Sequence, residues 1–190
     1  MLSFTVNAGG PEGRKAARGA IPWTSGGGMP VAYIGLGSNL GDRLQALRLG
    51  AEALEKAGVR VLKRSSLYRT DPVEVVDQGE FVNQVLGCSA DLPPDEILAI
   101  GLGIERSLGR TRTRDKGPRT LDIDLLLHAD TILRTAGLEV PHPRMHLRAF
   151  VLVPLVEIAP DARHPVLRLT ARELLERCPD RSRVERIAEG

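Results

Sequence analysis

Cysteine is the first scarcity. The 190-residue chain has two, Cys88 and Cys178, far apart and without metal-site spacing. That leaves no thiolate-ligated metal site to find and fits two ordinary thiols in a reducing cytoplasm. Long hydrophobic runs are missing as well. None approaches the roughly 20 apolar residues that a membrane-spanning helix takes, and the N-terminus lacks the apolar core of a signal peptide. Net charge is only +2. Arg14, Lys15 and Arg18 against Glu12 account for it, so the chain beyond Met29 is balanced. Without a general basic surface, nucleic acid is not an expected partner. Two phosphate-binding signatures are absent too. No G-x-x-x-x-G-K-[ST] loop occurs, and in the glycine-rich stretch Gly35–Gly41 the third position of G-x-G-x-x-G is taken by Leu40.

Hydrophobic residues at 42% and charged residues at 26% are ordinary for a globular protein, and 190 residues suffice for one domain with a real core. Residues 1–29 are rich in Gly, Ala and Arg, have no sustained periodicity and contain the single tryptophan, Trp23. They read as a disordered extension ahead of a domain over 30–190, with Met29 a candidate true start.

Within that domain, Val31–Leu36 has strand length and enters the glycine-rich stretch, which reads as a tight turn capped by Asn39 or Asp42. A helix follows with Leu44, Leu47, Ala51 and Leu54 on one face and Gly58 at its end. Val59–Tyr68 reads as a second strand, Thr70–Glu80 as a loop and Phe81–Ala90 as a third strand. A loop of that length in a compact domain is often functional. Phe81 and Asn83 share a strand face; an aromatic beside an amide suits a flat heterocycle, although such a pair is also common in core and edge positions. Pro94–Leu108 is a helix with acidic residues in its first turn and Gly109 after its end. Thr131–Val140 reads as a short hairpin, Val151–Ile158 as an apolar segment, and Thr170–Glu173 as a capping box opening a last helix. Interleaved strands and helices without a repeat indicate one α/β or α+β domain.

The chemistry concentrates in GRTRTRDKGPRTLDIDLLLH, Gly109–His128. Arg110, Arg112, Arg114, Lys116 and Arg119 form a basic arm opposed only by Asp115, and Gly117-Pro118 marks a turn within it. Leu121–Leu127 then reads as a strand that points Asp122 and Asp124 to one face, about 7 Å apart. Magnesium favours one or two carboxylates together with phosphate oxygens and water. Arginine supplies a planar fork matched to phosphate. The plainer reading is a solvated arginine loop paired with the aspartates. The apolar flanks imply burial, and buried carboxylates are rarely left without a cation.

Six blocks in order, AYIGLGSNLGDR, SSLYRTDPV, FVNQV, LGRTR, GPRTLDIDLLL and VPHPRMHLRAFVLVPLVEIAP, resemble the 6-hydroxymethyl-7,8-dihydropterin pyrophosphokinases of folate biosynthesis. The resemblance covers about Val31 to at least Pro160. It implies a single-domain ferredoxin-like α+β fold, an antiparallel-rich sheet flanked by helices, acting as a cytoplasmic monomer. The implied reaction moves a pyrophosphoryl group from ATP to the pterin hydroxymethyl group, releasing AMP. By the same resemblance Asp122 and Asp124 hold two Mg2+ ions, and Arg110 and Arg112 close over the phosphates as catalytic, ATP-binding residues. Arg119, His142, Arg148 and Glu105 join the ATP site. Phe81 and Phe150 sandwich the pterin, Asn83 reads its edge, and Thr70 and Val73 offer mainly backbone contacts. The chain departs from the pattern at Lys116, where many members have tryptophan. Asp71 stands where some have proline, Phe81 where some have tyrosine, and Pro143 where some place a tyrosine after the histidine.

Two other classes remain to be distinguished. A nucleotide-sugar transferase using an aspartate-x-aspartate metal site would bind a sugar nucleotide and not pterin. A non-catalytic module docking an acidic partner through its basic arm would not bind ATP.

Overall fold

The computed structural model describes residues 31–72, 79–109 and 120–187. Strand β1 (Val31–Ser38) leads to helix α1 (Arg43–Lys56). Two short strands follow, β2 (Val61–Arg64) and β3 (Tyr68–Thr70), and then β4 (Phe81–Ser89). Helix α2 (Pro94–Ser107) returns the chain to β5 (Asp122–His128). A small hairpin of β6 (Leu133–Arg134) and β7 (Glu139–Val140) precedes a 3-10 turn at Met145–Leu147. Helices α3 (Ala149–Ile158) and α4 (Ala171–Arg177) and strand β8 (Val184–Arg186) complete the described chain.

In the main sheet the order is β5-β1-β4-β3-β8, with β2 also on β4, and every pairing is antiparallel. The path β1-α1-β2/β3-β4-α2-β5, with β1 and β4 central, is the ferredoxin-like α+β arrangement. Alternation along β1 divides the protein. Ala32, Ile34 and Leu36 point into the main core, which holds Leu47, Ala51 and Leu54 of α1 with Ile97 and Ile104 of α2. On the opposite face Tyr33 joins Val85, Leu126 and Leu127 under Val151 and Leu155 of α3. Helices thus cover both faces. Cys88 and Cys178 are buried and unbonded, and burial pushes the Cys88 thiol up to about 12.

Several boundaries differ from the sequence reading, each for a local reason. The glycines of Gly35–Ser38 remain in β1, so only Asn39–Asp42 connects to α1, and Asp42 caps it by accepting from Gln45 N–H at 3.0 Å. Leu44 is exposed, and the buried stripe of α1 uses Ala46 and Gly50 as well. The segment Val59–Tyr68 splits at Ser65. There the backbone N–H donates to Val85 O while the Ser65 hydroxyl accepts from Val85 N–H, both at 2.9 Å, so a side chain replaces a ladder partner. The capping box of Thr170 and Glu173 is present as expected. The expected disordered extension, residues 1–29, lies outside the described residues.

Candidate active site

Register decides which side chains meet. Gly37 pairs with Asp122 on one side and Asn83 on the other, and Gly35 pairs with Asp124 and Val85. Directly opposed residues of an antiparallel ladder project to the same face. Asp122, Asp124, Gly35, Gly37, Asn83 and Phe81 therefore share one face, the face on which α3 packs farther along the sheet. Two glycines in β1 leave a floor without side chains between the aspartates and Asn83. An ideal Cβ on Gly37 would stand 2.9 Å from Asn83 Oδ1, so any larger residue there displaces the Asn83 amide. The sequence reading passed over this residue as part of a turn; the signal available was G-x-G within a run of strand-forming residues.

Asn83 is buried, and its Nδ2 donates to Thr70 Oγ1 at 2.8 Å. With the amide nitrogen committed to β3, Oδ1 faces Gly37. Thr70 itself pairs with Phe81. Phe81 is half-buried at the start of β4, a place that offers a ring face at the edge of the polar floor.

The second wall comes from the segment after β7. His142 N–H donates to Leu126 O at 2.9 Å, which fastens this segment to β5. His142 Nδ1 accepts from Arg144 N–H at 3.2 Å, so the neutral ring carries its proton on Nε2. Burial lowers the His142 pKa to about 4; Arg148 and Arg144 add to the fall and Asp122 opposes it. The imidazole thus lies within the fields of two guanidiniums and one site carboxylate. Arg148 ends the 3-10 turn and precedes α3, and its guanidinium sits 5.4 Å from the centroid of the Phe150 ring. That cation–π contact orients both residues.

Glu105 lies on the far side of β5. It is 2% exposed, on the buried stripe of α2, and its Oε1 accepts from Ile123 N–H at 2.8 Å. Ile123 is the residue between the two aspartates. Its N–H points away from β1, toward an edge where a ladder partner is missing, and Glu105 takes that place. The observed contact is thus a support for the aspartate strand. Arg110, Arg112, Arg119 and Val73, with Lys116, lie outside the described residues. The basic arm begins just past Gly109, whose φ of 87° ends α2 in the left-handed conformation that glycine tolerates.

The donor set fits the expected ion. Among the described residues no group of three or more His, Cys, Asp or Glu side chains could hold a metal. A closed, all-protein cage of the zinc type is therefore not formed there. Two half-buried carboxylates on alternate residues of one strand suit magnesium, which completes its shell with phosphate and water.

The match to known proteins follows the same residues. The family model described as 7,8-dihydro-6-hydroxymethylpterin-pyrophosphokinase matches residues 33–160, which include every described candidate residue. The chain belongs to this family. The 2-amino-4-hydroxy-6-hydroxymethyldihydropteridine pyrophosphokinase of Bacillus subtilis is 49% identical over 129 residues, covering 67% of this chain and 77% of that protein. The folic acid synthesis protein fol1 of Pneumocystis carinii is 39% identical over 150 residues, 79% of this chain but 20% of that protein. Among solved structures, the wild-type Plasmodium falciparum HPPK-DHPS with pteroate superposes with a TM-score of 0.63 at 14% identity, covering 79% of this chain and 44% of that one. The chain therefore spans most of the bacterial relative and only a part of the two larger proteins. The structural likeness supports the ferredoxin-like fold.

Proposed function

We propose that this chain transfers the pyrophosphoryl group of ATP to the hydroxymethyl group of 6-hydroxymethyl-7,8-dihydropterin, giving the pterin diphosphate and AMP, with two Mg2+ ions. The observation that carries the reading is the shared sheet face: Asp122 and Asp124 at one side of a glycine floor, Asn83 and Phe81 at the other. Phosphate chemistry and heterocycle recognition are thereby one strand apart.

In this reading the pterin lies between Phe81 and Phe150. Asn83 Oδ1, turned from Thr70, accepts from the ring's N–H edge. The hydroxymethyl oxygen attacks the β-phosphorus of ATP. The bond from that phosphorus to the oxygen bridging it to the α-phosphorus breaks, AMP leaves with the bonding pair, and the hydroxyl proton passes to water. Asp122 and Asp124 hold the magnesium, which when bound neutralises phosphate charge and orients the reacting oxygens. Neutral His142 donates from Nε2 to a phosphate oxygen, and Arg148 supplies positive charge beside it. Arg110, Arg112 and Arg119 of the basic arm complete the ATP site, Arg110 and Arg112 acting on the transferring group. Val73 adds a backbone contact to the pterin, and Glu105 serves the ATP site by fixing β5. Positioning and electrostatics carry most of such a transfer, so no dedicated base is invoked. The proposal is for a cytoplasmic monomer with no nucleic-acid or membrane partner; all the residues it uses come from one chain, and no described helix is long and apolar enough to cross a membrane.

The test is a mass-resolved assay with ATP, magnesium and 6-hydroxymethyl-7,8-dihydropterin. AMP and the pterin diphosphate, both lost in Asp122→Ala, are the expected products. ADP in place of AMP would replace the proposal with simple phosphoryl transfer. Binding of a sugar nucleotide without pterin would replace it with a glycosyl-transfer reading.

A further inference from the structure

Helix α3 begins without a cap of its own. Its N-cap residue is Arg148, which makes no side-chain capping bond, and its first turn carries no acidic residue. An opening of this kind leaves backbone N–H groups in need of acceptors. The acceptor at Ala149 comes from 31 residues later: Asp180 Oδ2 accepts from Ala149 N–H at 2.9 Å. Asp180 Oδ1 in turn accepts from Ser182 N–H at 2.9 Å and from the Ser182 hydroxyl, which fixes the orientation of the carboxylate. Burial alone would raise the Asp180 pKa, but the bonds from Ser182 and Ala149 overcome it and hold the group below its ordinary value. The ionised form is thus the one present, and negative charge at a helix N-terminus is favourable.

Two residues of the proposed site flank that contact, Arg148 on one side of Ala149 and Phe150 on the other. The same C-terminal segment then runs on into β8, which pairs with β3 so that Val184 opposes Thr70 and Arg186 opposes Tyr68. Thr70 is the residue that orients Asn83. Between these anchors Val184 packs on the small core formed by Ala149, Leu152, Leu174 and Cys178. One short stretch therefore holds both sides of the pterin pocket: through Asp180 the turn that carries Arg148 and Phe150, and through β8 the strand beside Asn83. All of it lies beyond residue 160, where the family match ends.

We infer that Asp180 is a positioning residue for the pterin site, capping α3 from the C-terminal segment so that Phe150 and Arg148 are set before substrate arrives. The inference rests on the proposed pterin role of Phe150. Removing the cap lets the first turn of α3 fray, and apparent affinity falls in proportion to the fraction of molecules that keep the turn. Loss of a helix cap corresponds to about a fivefold change in the equilibrium between formed and frayed turn, which sets the upper limit of the loss in affinity.

The experiment compares Asp180→Ala, Asp180→Asn and Thr170→Ala in the full chain. It measures the Kd for 6-hydroxymethyl-7,8-dihydropterin with magnesium and a non-hydrolysable ATP analogue, well below each Tm, together with amide exchange at residues 149–152. Asp180→Ala is expected to raise the pterin Kd by up to about fivefold and to lower exchange protection at Ala149 and Phe150 by the full fivefold or so. Asp180→Asn keeps one of the two acceptor oxygens, so it can cap Ala149 only at the expense of the bonds from Ser182, and should restore part of both. Thr170→Ala removes the cap of α4 and should lower Tm without moving the Kd. An unchanged Kd in Asp180→Ala, or an equal rise in Thr170→Ala, overturns the inference while leaving the proposed reaction intact. Absence of pterin binding by the wild-type chain itself overturns the reaction reading, and the inference with it.

Discussion

The most exacting prediction concerns one methyl group. In Gly37→Ala the new Cβ would lie 2.9 Å from Asn83 Oδ1, against an ordinary limit near 3.4 Å. Relief requires movement of about half an ångström, on the order of what separates a productive from an unproductive site geometry. Strand β1 is paired on both sides, so the movement falls on Asn83. That side chain is held by its 2.8 Å bond to Thr70, and turning it away breaks that bond or misdirects Oδ1. A hydrogen bond carries about 0.5–1.5 kcal/mol net, and a buried group left unsatisfied costs about 1–3 kcal/mol. Pterin affinity should therefore fall about 10- to 100-fold, with a smaller loss in ATP affinity because the aspartates lie on the other side of the floor. Gly35→Ala is the matched control. Its Cβ would meet Leu126 at 3.5 Å, ordinary apolar contact, and its three nearest neighbours are all carbons of that side chain. Calorimetric or fluorescence titration of pterin onto the nucleotide-loaded protein reads the difference. Wild-type pterin affinity in Gly37→Ala, or a larger loss in Gly35→Ala, would refute the argument from register.

Asp124→Ala should lower turnover by several orders of magnitude and weaken magnesium-dependent ATP binding; near-normal turnover would sink the metal assignment. Arg110→Ala should slow the chemical step more than it weakens pterin binding, and collapse of pterin affinity with the rate preserved would contradict the role given to the arm. Glu105→Ala strands the Ile123 N–H between Asp122 and Asp124 and should cost about 1–3 kcal/mol of stability by denaturant unfolding, whereas Glu105→Gln keeps an acceptor; equal losses in both would mean that charge, not the hydrogen bond, matters. In the ligand-free protein the His142 ring should titrate near pH 4 by NMR. Because its folded pKa is depressed, the stability linked to its neutral form is complete above about 6.5 and is lost as pH falls toward 4; a midpoint at or above 6.5 would show the ring to be solvated.

What could be read in advance depended on range. The two-residue alternation of β5, the Asp42 cap of α1, the acidic first turn of α2, the glycines that follow α1 and α2, and the Thr170–Glu173 box are local signals, and each is found in the structure close to its expected position. Signals that arise from pairing were hidden. Gly37 resembles a turn residue because glycine is a poor strand former, and only its register opposite Asn83 shows why a side chain is excluded. The break at Ser65 depends on a bond to Val85, twenty residues away. Asp180 acts on a helix that starts 31 residues earlier, and three-residue β8, with two charged positions, has no alternation to notice. Glu105 was legible as a residue near the apolar stripe of α2; its target could not be, since an edge N–H is unsatisfied only once the sheet order is known.

That edge has a further consequence. A strand at the border of a sheet invites pairing with another chain through its free N–H and C=O groups, and proteins must obstruct it. On the outer side of β5 the Ile123 N–H is taken by Glu105 and the Leu126 carbonyl by the N–H of His142. Two residues placed at the proposed site therefore also occupy hydrogen-bonding groups of that edge. A substitution at Glu105 made to probe nucleotide binding would also free the Ile123 N–H at this edge, so its effect on activity is to be read beside the oligomeric state of the variant.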